Sequence, residues 1–141
     1  MIIPDVNVLV YAYDSSSPFN LKCQTWWESE VNRGSSIGIP WNVTIGFLRI
    51  LTHPRIYARP WPIDDACAIV SSWFNRPNIV PLDPGPRHLS LLTEQLRQVQ
   101  VGGNLVNDAH LAAIAREYRA RFVTTDRDFE RFSGISLMNP L

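Results

Sequence analysis

Leu105-Val-Asn107-Asp108-Ala-His-Leu-Ala112-Ala-Ile-Ala115-Arg-Glu-Tyr118-Arg-Ala-Arg-Phe122-Val-Thr-Thr125-Asp126-Arg-Asp128-Phe129 reads as a helix delivered onto a buried strand. The face made by Ala109, Ala112, Ala113 and Ala115 is small enough to bring a helix spanning 105–118 close against a sheet. Asn107 or Asp108 falls at its start, where free backbone N–H groups and the helix dipole favour a carboxylate. The apolar run 122–125 then ends on Asp126. Short runs of this kind, bounded by turn residues, suit buried strands.

Working outward, similar runs occur at 1–4, 37–40, 79–82 and 135–138, giving five expected strands. Helix-periodic segments separate them at 21–31, 43–51, 64–74 and 89–99, in addition to 105–118. Acidic Asp64 and Asp65 mark the start of the third of these. Strands alternating with helices imply an α/β fold with a mostly parallel central sheet, because parallel neighbours need crossover connections. Many of the eleven prolines fall at the expected element boundaries, and 55–62 and 102–104 read as loops.

A chain of 141 residues with 45% hydrophobic content suits a single domain, 1–141. Its formal net charge of zero excludes a global basic field for nucleic acid, so such binding must be local. Lys22 is the one lysine among thirteen basic residues, and the arginines suit bidentate phosphate contact. Cys23 and Cys67 lack metal-ligand spacing and read as buried thiols in a reducing compartment. With no long apolar segment and no basic leader, the expectation is a soluble, cytoplasmic protein with no membrane partner.

In an open parallel sheet, ligands bind beyond the carboxyl ends of the strands. There the sequence is acidic: Asp5 follows the first strand in Ile2-Ile-Pro-Asp5-Val-Asn7, and Asp126 follows the fourth. Singly, Asp5 and Asp126 are turn formers, Asp108 is a helix cap, and Asp128 caps a short helix at 129–132. Together at one sheet edge they repel one another and raise each other's pKa unless a cation compensates. Mg²⁺ or Mn²⁺ takes hard oxygen ligands and keeps waters that serve hydrolysis of a phosphodiester.

Three motifs, Asp5-Val-Asn7, Asn107-Asp108-Ala-His-Leu-Ala-Ala and Thr124-Thr-Asp126-Arg-Asp128-Phe, occur in an order that resembles PIN-domain ribonucleases of the VapC toxin type. Gly46-Phe-Leu-Arg49-Ile-Leu-Thr52-His-Pro54 resembles the helix after the second strand in many members, so the likeness runs along the whole chain. It implies a doubly wound PIN-like three-layer fold and a Mg²⁺- or Mn²⁺-dependent endoribonuclease that is the toxin of a toxin–antitoxin pair. It further implies an RNA substrate, a cognate antitoxin and a homodimer. Asp5, Asp108 and Asp126 match the metal-binding acids, with Asp128, Asn7, Thr125 and Arg49 as possible accessories. Gly46 stands where many members carry a glutamate. The site then holds one ion rather than two, holds metal weakly, or recruits another oxygen such as the Thr44 hydroxyl.

Arg49, three residues beyond Gly46, either meets the scissile phosphate or pairs with an acid of the cluster. Thr124 and Thr125 either orient Asp126 or a water, or are ordinary strand residues. His53, His88 and His110 have no metal-ligand spacing, and His110 is expected to point away from Asp108. Of five tryptophans, Trp61 in its proline-flanked loop is the expected exposed one, placed to stack a base or, as the favoured reading, to contact a partner or second copy. Two rivals remain. One is a catalytically weakened PIN domain that binds RNA or protein, in which a glutamate restored at 46 should raise activity. The other is a phosphoryl-accepting protein with Asp5 as nucleophile, against which Lys22 lies far from the acidic motifs.

Overall fold

A computed structural model describes every residue except Val101. Its five strands are β1 (Ile2–Pro4), β2 (Ile37–Pro40), β3 (Ile79–Leu82), β4 (Arg121–Val123) and β5 (Ser136–Met138). They form one sheet in the order β3-β2-β1-β4-β5, and every pairing is parallel. Six α-helices flank it among the described residues: α1 (Val6–Tyr13), α2 (Asn20–Asn32), α3 (Trp41–Leu51), α4 (Ile63–Phe74), α5 (His88–Val99) and α6 (Leu105–Glu117).

The chain steps from β1 outward to β2 and β3, then crosses to the far side of β1 to lay down β4 and β5. Right-handed crossovers in opposite directions send their helices to opposite faces. Accordingly α1 packs on α2 and α3, whereas α5 packs on α6. The strand order therefore reverses between β1 and β4, the place where an open α/β sheet leaves a crevice.

The expected strands and helices are present with small shifts at their ends, but residues 6–13, where sequence pattern predicts no element, differ. There the structure has α1, with Val8, Leu9, Val10 and Ala12 all buried. β-Branched residues weaken helix propensity, and burial around most of the circumference removes the amphipathic period that marks a surface helix. Tertiary burial and the Asp5 cap override both.

Ile3, Ile37, Ile39 and Phe122 from the sheet meet Phe47, Leu51, Ala109, Ala112 and Ile114 from the helices in one buried cluster. Within it Trp27 and Trp73 both donate their indole N–H to the Tyr13 hydroxyl, at 3.1 and 2.9 Å. Two expectations are corrected. Cys67 is exposed, on the outer side of α4, while Cys23 alone is buried. Trp61 is half-buried against the core, and its backbone N–H donates to the Leu51 carbonyl at 2.8 Å. The exposed tryptophan is instead Trp41, the first residue of α3, 45% exposed with its ring tilted at 46° against that of Phe74.

Candidate metal centre

The switch point is built by two strand ends in register. Pro4 pairs with Val123, and the next backbone N–H, that of Asp5, donates to the Val123 carbonyl at 2.8 Å. Asp5 then turns the chain into α1. One of its carboxylate oxygens accepts the Val6 N–H at 2.7 Å, capping the helix. The other accepts the Thr124 hydroxyl at 2.7 Å from the adjacent strand end. Thr124 in turn accepts the Asp126 N–H at 3.0 Å. A single threonine thus ties the two acids that follow β1 and β4. It is Thr124 whose hydroxyl orients both acids, whereas Thr125, which lines a neighbouring depression with Thr124, Asp126 and Glu130, makes no such side-chain hydrogen bond among the described residues.

Asp126 caps the 3₁₀ turn Arg127–Arg131 by accepting the Asp128 N–H at 2.8 Å. The cap is therefore Asp126, and Asp128 lies within the turn, where it was expected to act as the cap itself. From the other side, α6 brings Asp108 in its first turn, with Leu105 at the helix start. Carboxylate oxygens of Asp108, Asp126 and Asp128 gather within 4.8 Å of one another. Asp5 sits deeper, only 4% exposed, at the base of the same cleft.

Electrostatics reflect this crowding. Burial pushes Asp5 above the usual carboxylate value, as does Asp126, while the hydrogen bonds from Thr124 and Val6 pull it back. Burial, then the charges of Asp126, Asp5 and Asp128, raise Asp108 to about 6. Acids placed at a cost to one another, with hard oxygens converging, form a donor set that fits a divalent cation.

The cleft, of about 450 Å³, is lined by Asp5, Asp108 and Asp126 together with Asn7, Gly46 and Arg49. Arg49 makes no ion pair among the described residues. Thr44 does not line it; the side chain is 1% exposed and its hydroxyl has no partner. Residues two apart on a helix face different ways, which removes Thr44 as the replacement oxygen at Gly46. Asn42 and Asn104 line the cleft and were missed by the sequence reading. Asn42 was nonetheless legible as the residue one helical turn before Gly46. His110 turns from the cleft to His88, with ring nitrogens 2.8 Å apart. A second cavity, of about 340 Å³, lies among Tyr13, Trp27 and Trp73, but among the described residues Glu28 is the one carboxylate that lines it.

Residues 2–135 match the PIN domain. The chain belongs to the PIN-domain family. Across 141 residues this PIN domain is 39% identical to Ribonuclease VapC33 of Mycobacterium tuberculosis, covering 100% of this chain and 99% of the relative. Ribonuclease VapC37 of the same organism is 37% identical over 140 residues, with 99% and 97% covered. Among solved structures, the PIN domain is similar to VapBC2 of Rickettsia felis bound to a promoter DNA fragment, with a TM-score of 0.73 at 18% identity over 99% and 98% of the two chains. It is also similar to VapBC-1 of nontypeable Haemophilus influenzae, with a TM-score of 0.71 at 13% identity and the same coverage. At such identities these structures speak to the fold alone.

Proposed function

We propose that this PIN domain is a metal-dependent endoribonuclease and the toxin of a toxin–antitoxin pair. The observation that carries the reading is the convergence of Asp5, Asp108 and Asp126, from three distant segments, in one cleft at the switch point of the sheet. Relatives named ribonucleases at 34–39% identity over nearly the whole chain support it.

Asp5, Asp108 and Asp126 would hold Mg²⁺ or Mn²⁺, with Asp128 assisting. Bound there, the cation supplies Lewis-acid activation of water and neutralises charge on the phosphodiester. The chain's own groups do the positioning. Thr124 holds Asp5, and the Asp128 N–H holds Asp126, so both carboxylates are presented in fixed orientations. Arg49, free of an ion pair among the described residues, offers a planar fork to the RNA backbone. Asn7 offers an amide at the same wall. The single-domain organisation over 1–141, a cognate antitoxin, a homodimer and a cytoplasmic setting complete the proposal. No helix among the described residues is long and apolar enough to cross a membrane.

The test is cleavage of total cellular RNA by purified protein with Mg²⁺, with Mn²⁺ and with EDTA, beside an Asp5→Asn/Asp108→Asn double variant. Discrete fragments that need metal and vanish in the variant are expected. Folded, antitoxin-free protein that cuts with neither metal would overturn the reading.

The weakened-domain alternative has one observation in its favour. Gly46 leaves the cleft without a further acid, and a Cβ at that position would lie 3.2 Å from Val6 Cγ2, so the site is not shaped to receive one unchanged.

A further inference from the structure

Along the wall that α3 gives the acidic cleft, Asn42 and Gly46 are uncharged, Arg49 makes no ion pair among the described residues, and Ile45 is apolar yet 60% exposed. Trp41 lies one turn before Ile45 on the same side of the helix and is itself largely open to solvent. Together they make an apolar strip that runs outward from the cleft's lining. Phe74 packs against the indole with ring centroids 5.8 Å apart, so the ring is restrained while nearly half of the residue stays exposed. Scattered apolar residues are ordinary on a surface, but this strip is continuous with a cleft that must receive a phosphodiester. Whatever covers Ile45 shares that cleft with the scissile phosphate, and the molecule that does so is the substrate strand itself. Single-stranded RNA is held by cationic groups along its backbone and by aromatic rings on which unpaired bases stack. Arg49 and Trp41, about 12 Å apart along the axis of α3, place one of each on a single helix.

We propose that Trp41 is a stacking platform for one unpaired base of the RNA beside the scissile phosphodiester, with Ile45 contacting the next nucleotide toward the cleft. The inference rests on the proposed ribonuclease function and deepens it by naming a substrate class: a segment whose bases are free to leave the stack. Every base has a π-face, so the indole selects unpaired structure rather than a sequence. A duplex keeps its bases stacked on one another and out of reach of such a ring.

The experiment measures binding of a single-stranded RNA of about ten nucleotides, within the usual range of single-strand site sizes, to the full chain carrying Asp5→Asn/Asp108→Asn so that the strand is not cut. Adding Trp41→Ala should weaken binding by about tenfold, the scale of one lost stacked base, and Trp41→Phe should recover most of it. The same strand annealed to its complement should bind more weakly and lose nothing further on Trp41→Ala. A series of strands, each lacking one base, should reveal one position whose removal weakens binding to the parent but not to Trp41→Ala, because base and ring share a contact. Unchanged single-strand affinity in folded Trp41→Ala, or equal losses from base removal in both proteins, would overturn the platform. Loss of a dimer in sedimentation with RNA affinity retained would assign the strip to a second copy and overturn it as well. Should Trp41→Ala fail to fold, Trp41→Leu, which keeps an apolar contact with Phe74 but no flat ring, reads the same outcomes. Wild-type protein that neither binds nor cuts RNA would instead sink the ribonuclease function on which the inference rests.

Discussion

Thr124 and Asp5 lie 119 positions apart and share a buried 2.7 Å hydrogen bond, the hydroxyl donating to the carboxylate. The same oxygen accepts the Asp126 N–H, so one small side chain aligns the two acids on either side of the strand-order reversal. Thr124→Val keeps the shape and removes the hydroxyl, leaving a buried carboxylate oxygen and a backbone N–H without this partner. A loss of about 1–3 kcal/mol in denaturant unfolding is expected, with weaker Mn²⁺ binding. Thr124→Ser should restore both. An unaffected metal affinity in Thr124→Val would show that Asp5 needs no such alignment.

Asp108 should separate stability from activity. It is held beside three other acids at a cost, so Asp108→Asn removes repulsion while deleting a metal-holding oxygen. Thermal unfolding in EDTA should be no lower than wild type, and RNA cleavage should fall by about 100-fold or more. A destabilised variant would mean that its charge is structurally satisfied.

The same residue sets a pH dependence. Asp108 in the folded protein keeps its proton up to about pH 6, against an ordinary value of 3.8. Between those values the folded state binds a proton that the unfolded chain has released, so the metal-free protein gains stability as pH falls through that window. Raised Asp5 acts in the same direction. Mn²⁺ must displace that proton, so its affinity should drop as pH falls through about 6. Melting curves in EDTA and Mn²⁺ titrations across this range check both slopes, and Asp108→Asn should flatten them.

At Gly46 two effects oppose. A Cβ gains helix propensity of about 1 kcal/mol but meets Val6 Cγ2 at 3.2 Å. Gly46→Ala should therefore change stability by less than about 1 kcal/mol in either direction. Gly46→Glu with Val6→Ala makes room for the acid and should bind Mn²⁺ more tightly than Gly46→Glu alone. Equal affinity in the two would show that Val6 does not obstruct the site.

Away from the cleft, Tyr13→Phe removes the acceptor shared by Trp27 and Trp73. Two indole N–H groups in nearly closed surroundings would lose their bonds, at about 2 kcal/mol or more in chemical unfolding. Metal affinity should remain as in wild type, which separates this core defect from a site defect.

Local pattern determined much of this protein. Short apolar runs closed by proline, aspartate or asparagine marked the five strands, and alternation with helices required a parallel sheet, because such neighbours cannot be joined by tight turns. Since ligands sit beyond strand ends in such sheets, the aspartates that follow β1 and β4 were legible as candidate site residues. What the sequence could not show was decided by contacts between segments far apart in the chain. Helix α1 forms because burial on nearly all its sides outweighs a valine-rich composition, and no periodicity records that. The choice of Thr124 over Thr125 depends on which hydroxyl faces β1, which the pleat and the β1–β4 register decide together. Asp128 joins Asp108 and Asp126 only because the 3₁₀ turn folds back toward α6. The spacing of Asn42 and Gly46 puts both on one helix face, but that this face lines the cleft is decided only by the packing of α3 on α1.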